Sequence, residues 1–173
     1  RVALLHELAE TLFPALGYKL RPETVPFEAA ELPVLACYRG ADRNPVLVLA
    51  LAAMDMDTPE SEWSALGVAP LAAVEPEGDG LALLEAMDWE ETASKVVFGD
   101  THPPRWLLLL GHDELLIIER SKWGRKALLR FALPEIFGPR DDKLFRAVAA
   151  LACKDSIVPV EGTALLDTLD GNS

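Results

Sequence analysis

Cysteine is nearly absent, with Cys37 and Cys153 alone in 173 residues, and histidine occurs three times. No cysteine–histidine spacing of a zinc site can be drawn from so few ligands, which excludes the zinc-finger and zinc-ribbon classes. Both cysteines sit in apolar surroundings, one in a strand-like and one in a helix-like pattern. That placement predicts buried thiols in a reducing cytoplasm. No Gly-rich phosphate loop and no Gly-x-Ser-x-Gly elbow occurs, so neither of those signatures supplies a catalytic site. Long hydrophobic runs are missing too. The longest, Pro45 to Met54 and Trp106 to Gly111, fall well short of the ~20 apolar residues that cross a bilayer as a helix. The first residues are amphipathic rather than basic and then apolar, unlike a secretion signal. The expected location is therefore cytoplasmic, without a membrane partner. The chain starts at Arg1 and stops at Ser173, which suggests a piece cut from a longer protein.

What is present is a core-forming composition, 50% hydrophobic, with a net charge of -12. The charge is uneven. Residues 1–100 hold 6 Lys/Arg against 18 Asp/Glu, whereas residues 101–173 hold 10 of each. An acidic chain repels phosphate backbones, so DNA binding by the whole surface is not expected, and any contact would need a local basic patch.

Apolar Leu4, Leu5, Leu8, Leu12 and Leu16 recur at helical spacing, predicting a helix over 2–16 that ends at Gly17 after a late Pro14. A Pro-punctuated stretch covers 20–30. Leu32 to Tyr38 and Val46 to Ala53 then read as two strands of a hairpin around the turn cluster 39–45. The second strand is apolar on both faces, as in the middle of a covered sheet. Residues 55–80 read as an acidic loop with a short helix over 60–66, and 81–97 as a helix. Strands are expected over 106–110 and 115–119, joined by Gly111-His112-Asp113-Glu114, with a third over 127–131. Helical segments are expected over 133–137, 141–154 and 163–169. Neighbouring strands beside helices indicate an α/β (α+β) fold in three layers.

Few residues offer chemistry. His6 and Glu10 lie one turn apart, one ligand short of a zinc-protease motif, and fit a solvated helix face. His102 and His112 fall in loops. Asp55, Asp57, Glu60 and Glu62 come directly after a strand and could hold Mg²⁺, though acids also favour a helix start. Residues 120–130 carry no acid and contain Arg120, Lys122, Trp123, Arg125, Lys126 and Arg130. Of these, Arg120, Lys122, Trp123, Arg125 and Lys126 are the candidate DNA contacts: cations for phosphates, and an indole that can stack on a base or pack a loop. A charge-protected sheet edge would use the same residues.

The segment Pro104-Arg105-Trp106-Leu107-Leu108-Leu109-Leu110-Gly111-His112-Asp113-Glu114-Leu115-Leu116-Ile117-Ile118-Glu119 resembles the strand, short turn, strand pattern in the N-terminal domain of type IIG, Eco57I-like restriction–modification DNA methyltransferases. Trp123, the stretch 131–137 and the tail from Ser156-Ile157-Val158-Pro159 to Leu165-Leu166-Asp167 resemble the segments that lie C-terminal to that pattern in the family. The resemblance implies a nuclease-like domain over 1–155, with a restriction-endonuclease-like central mixed sheet flanked by helices. It also implies the start of a connecting helical segment over 156–173, leading to a methyltransferase domain in the same parent chain. Such nuclease domains hold Mg²⁺ with an acid on one strand and a Glu-x-Lys on the next. Here the matching strand offers Leu49-Ala50-Leu51 or Ala50-Leu51-Ala52, without carboxylate or lysine. Glu31 and Asp42 remain as possible first acids and Glu10 as an accessory one.

These readings give three expectations. The first is a degenerate, non-catalytic nuclease-like domain with no cofactor, serving a structural or DNA-positioning role in restriction–modification or phage defence. The second is an active Mg²⁺-dependent endonuclease using relocated acids among Glu10, Glu31, Asp42, Asp55 and Asp57. The third is a protein-interaction module unrelated to DNA.

Overall fold

The structure is a computed structural model that describes residues 2–53, 57, 59, 64–73, 84–133, 146, 150 and 152–154. Helix α1 spans Val2–Ala15. Leu5, Ala9, Leu12 and Phe13 form its buried face, whereas Leu4, which the periodicity groups with them, stays 63% exposed. The helix ends as its sequence predicts. Gly17 takes φ +89°, a conformation that costs glycine little. The Tyr18 amide donates to Phe13 O at 2.9 Å and the Gly17 amide to Pro14 O at 3.0 Å, and the Phe13 and Tyr18 rings pack edge to face at 6.0 Å. This is a Schellman cap with its hydrophobic contact.

The strands are β1 (Glu23–Pro26), β2 (Glu31–Val34), β3 (Ala36–Arg39), β4 (Pro45–Ala52), β5 (Pro70–Leu71), β6 (Trp106–Leu110), β7 (Glu114–Glu119) and β8 (Leu129–Ala132). Among the described residues β1 and β2 form a two-stranded ribbon, and the main sheet runs β3-β4-β6-β7-β8, with β5 also paired to β4. β4 and β6 are parallel, with Leu47 opposite Trp106 and Leu51 opposite Leu110, while the other pairs are antiparallel. The sheet is therefore mixed. Helix α2 comprises an α turn, Trp89–Thr92, that continues as a π turn, Ala93–Val97. Helix α3 is a single turn, Arg120–Trp123.

Alternation along the strands builds three layers. Leu47, Leu49, Leu51, Trp106, Leu108, Leu110, Leu115 and Ile117 pack on one face with α1. Val48, Ala50, Ala52, Leu107, Leu109, Leu116 and Ile118 pack on the other, under α2 and the β1–β2 ribbon. The doubly apolar β4 thus lies inside a sheet covered on both sides, as its composition predicts.

Several expectations need correction. The single strand expected over 32–38 breaks at Leu35, whose amide bonds Leu49 O at 2.8 Å. Before this bend the chain pairs with β1 to roof the α2 face, and after it the chain joins the main sheet as β3. β1 itself lies in the Pro-rich stretch that hides its alternation. The helix expected over 81–97 is interrupted, because Asp88 leaves the helical pattern to cap α2 through the Glu91 amide at 2.8 Å, as short acidic side chains favour. Residues 81–83 lie outside the described set. So do 60–63 of the expected short helix, whose end is a 3-10 turn over Ala65–Gly67. The helices over 133–137 and 141–154 lie almost entirely outside it, and 163–169 and the connecting segment 156–173 wholly so.

The described C-terminal residues dock on the end of α1. Lys154 N donates to Leu16 O at 2.9 Å, and the buried Tyr18 hydroxyl donates to Ala152 O at 2.9 Å. Burial raises the Tyr18 pKa, so this phenol stays a donor. Tyr18→Phe is expected to cost about 1–2 kcal/mol, since it leaves a buried carbonyl unpaired. Urea unfolding of both proteins measures this, and an unchanged midpoint would show that the bond carries no weight.

Candidate functional site

The β3–β4 turn, the loop that leads into β6 and Arg120 enclose an open cleft of about 350 Å³, lined among others by Asp42, Asn44, Thr101, His102 and Arg105. Its first wall is the β3–β4 turn. Gly40 N bonds Asn44 O at 3.0 Å, closing the turn, and Arg43 takes a left-handed φ of 66°. Asp42 Oδ1 accepts from Asn44 N at 3.0 Å and Oδ2 from Asn44 Nδ2 at 3.1 Å. These bonds hold the Asp42 carboxyl below its usual range, with a smaller contribution from the His102 imidazole.

The second wall is the loop between α2 and β6. Gly99 starts it where a Cβ would stand 2.6 Å from Lys95 O and 2.9 Å from Ser94 O, so only glycine fits against the π turn. Glu28, between β1 and β2, accepts from Thr101 N at 3.2 Å. Arg120 anchors the loop from the sheet side: its Nη1 donates to Pro103 O at 2.7 Å, and its amide donates to Arg105 O at 2.9 Å. The Arg105 guanidinium lies 5.0 Å from the Trp106 ring centre and 3.9 Å from Glu119. Glu119 Oε1 also accepts from Ser121 Oγ, while its buried Oε2 has no hydrogen-bond partner and faces Lys122 at 4.0 Å. Arg105 and Arg120 thus both line the cleft, with Glu119 against the first and the Pro103 carbonyl against the second.

The candidate DNA contacts are contiguous in sequence but diverge in space. Arg120 turns to the cleft, and Lys122 sits beside Glu119. Lys126, with φ 57°, pairs with Glu90 at 2.8 Å and lies 4.2 Å from the Trp123 ring centre. Arg125 is exposed. Arg130 leaves for the other end of the sheet, where it bonds the buried Glu114, whose Oε1 also accepts from Ala65 N at 2.7 Å. Trp123 is 6% exposed. Its Nε1 donates to Ser94 Oγ at 3.0 Å and its ring packs on Phe98 at 5.9 Å. Of the two uses open to this indole, packing is the one observed: it fastens α3 to α2 and offers no base-stacking platform.

The candidate acids are also dispersed. Glu10 is on α1 and lines a second cavity of about 490 Å³ with His6, Tyr18 and Lys19. Glu31 opens β2, Asp42 is in the β3–β4 turn, and Asp57 is exposed. Asp55, Glu60 and Glu62 lie outside the described residues. His102 and His112 are exposed in loops. The acid and Glu-x-Lys centre that the resemblance implies would place Mg²⁺ ligands on β4, but Leu49, Ala50, Leu51 and Ala52 are each 0% exposed and packed on both faces. These residues do not fit the metal.

Sequence reasoning misses Arg105, although a signal for it exists. A tight β6–β7 turn pairs residues equidistant from it, and the Trp106–Glu119 pairing brings Arg105 beside Arg120.

Both cysteines are half-buried thiols outside any disulfide. Burial pushes the Cys37 pKa up to about 11. Only about a thousandth of it is thiolate at pH 8, so a Cys153→Ser variant is expected to alkylate very slowly there and to accelerate toward pH 11. Above pH 9 the thiolate favours the unfolded chain, so stability should fall as pH rises toward 11. Rapid iodoacetamide labelling of the folded variant at pH 8 would refute this environment for Cys37.

Among the described residues no helix is long and apolar enough to cross a membrane. No protein family, curated protein or solved structure matches the chain.

Proposed function

We propose that this chain is a non-catalytic, nuclease-like domain of a bacterial restriction–modification or phage-defence DNA methyltransferase, with a structural or DNA-positioning role. The reading places its mixed sheet in the restriction-endonuclease-like class. Its main support is β4. A helix, an antiparallel hairpin and a crossover to a parallel strand surround a central strand that carries only Leu and Ala where a nuclease of this class needs a carboxylate and a lysine. A charge set there would be buried between two apolar layers at a prohibitive desolvation cost. Methyl transfer then belongs to another domain of the parent chain, as does reading of the DNA sequence.

DNA contact would come from Arg120, Lys122 and Arg125, with Lys126 exchanging Glu90 for a phosphate and Trp123 bracing the segment from beneath. Such contacts position a duplex without reading its bases. Fluorescence anisotropy with a duplex at low and moderate salt tests the role. Binding should weaken with salt, and a variant with Arg120, Lys122, Arg125 and Lys126 all changed to Gln should lose it, lowering the salt slope by about three to four. Incubation with Mg²⁺ or Mn²⁺ should leave the duplex intact. Cleavage would instead establish the endonuclease with relocated acids. Absence of binding at low salt would end the DNA role and leave a scaffold for protein partners.

A further inference from the structure

We propose that Glu90 masks the basic turn after α3: its ion pair with Lys126 is an autoinhibitory contact that a DNA phosphate must displace. The inference rests on the DNA-positioning reading and adds a control to the same surface. Lys126 Nζ stands 2.8 Å from Glu90 Oε1 and 4.2 Å from the centre of the Trp123 ring. The cation is thus engaged within the domain by an anion and by an aromatic face. Both charged side chains are about half exposed. Such a pair is ordinarily weak, because two long side chains must be ordered to make it and water screens it. Three features set this one apart.

The first is the backbone of Lys126. α1 and α3 end in the same Schellman motif. At α3 the Lys126 amide donates to Trp123 O at 2.8 Å and the Ala127 amide to Lys122 O at 3.2 Å, the pattern that Gly17 and Tyr18 make at α1. The residue in the left-handed position is Gly17 in one cap, with φ +89°, and Lys126 in the other, with φ 57°. Glycine adopts that conformation readily, and a residue with a Cβ does so under strain. A glycine lies close by, yet Gly124 keeps a right-handed φ of -57°. The strained position is therefore given to the lysine whose ammonium reaches Trp123 and Glu90.

The second is anchorage. Glu90 follows Trp89, which is 0% exposed, donates through its amide to Val68 O at 2.8 Å and through Nε1 to Leu51 O at 3.0 Å. Lys126 closes the turn that starts at the buried Trp123, itself bonded to Ser94. The backbone on both sides is fixed before the charges meet, so only side-chain rotamers remain to be ordered. The third is direction. Glu91 pairs with Lys95 along its own helix, as the helical spacing favours. Glu90 reaches across to the turn instead, beside the exposed Arg125. A phosphate that approaches Arg125 and Lys126 therefore meets a carboxylate already seated on one of the two cations.

Fluorescence anisotropy of one labelled duplex over a range of salt concentrations tests this. The proteins are the full chain and its Glu90→Gln, Glu91→Gln, Lys126→Gln and Glu90→Gln/Lys126→Gln variants, all altered at exposed or partly exposed positions. Glu90→Gln should bind about two- to fivefold more tightly at low salt, with a salt slope steeper by about one. Glu91→Gln removes the same charge one residue away and reports the general effect of a less acidic surface. It should gain less and keep the slope of the unaltered chain. With Lys126 already changed to Gln, the further Glu90→Gln change should gain no more than Glu91→Gln does. The mask is overturned by a Glu90→Gln gain no larger than that of Glu91→Gln, or by a gain that persists in full without Lys126. Either result with duplex binding by the unaltered chain leaves the DNA-positioning reading standing. Binding by the Glu90→Gln variant and none by the unaltered chain supports the mask. No binding by any of the proteins at low salt overturns both.

Discussion

Leu47 to Ala52 are each 0% exposed, and the rest of the molecule can be understood as the apparatus that keeps them so. β4 has neighbours on both edges and apolar layers on both faces, which satisfies its backbone and removes its side chains from water together. The parallel pairing with β6 is the central element. It forces a crossover, the crossover carries α2, and α2 with the β1–β2 ribbon provides the second apolar cover. α1 provides the first, and its Schellman cap turns the chain back toward the ribbon.

The same burial shapes the chemistry. A strand enclosed on both faces cannot present catalytic side chains from its middle, so polar function is displaced to its ends. At one end Glu114 gathers the Ala65 amide and Arg130. At the other, Arg105 and Arg120 meet across the β6–β7 ladder and define the cleft with the β3–β4 turn. The basic run that stands out in the sequence is divided between these places. Its cations serve Glu119, Glu90, Glu114 and a backbone carbonyl, and only part of it faces outward as a patch.

Much of this architecture is legible in the residues. Helical spacing in α1, the left-handed glycine after it, the apolar β4 and the tight β6–β7 turn each carry a local physical signature, and each corresponds to an observed element. Other features depend on tertiary partners and leave no local trace. Nothing between Leu32 and Tyr38 announces that the strand divides between two sheets, because that bend answers to Leu49 and β1. Trp123 beside Lys122 and Arg125 suggests a stacking surface until Ser94 and Phe98 arrive from a distant segment. Arg105 looks like a flank of an apolar run, and only strand register reveals its neighbour.

The order of pairing in the main sheet also has a kinetic consequence. The β6–β7 hairpin closes over a few residues, and so does β3–β4. The parallel β4–β6 seam must bring together segments separated by the whole of 53–105, a loop whose closure entropy is met before any contact across the seam repays it. Two hairpins that form early and dock late are therefore the natural folding route. Arg105 and Arg120 belong to one hairpin, Asp42 and Asn44 to the other. The cleft exists only once the slow step is complete, so it is among the last features to form and among the first to be lost when the two hairpins separate.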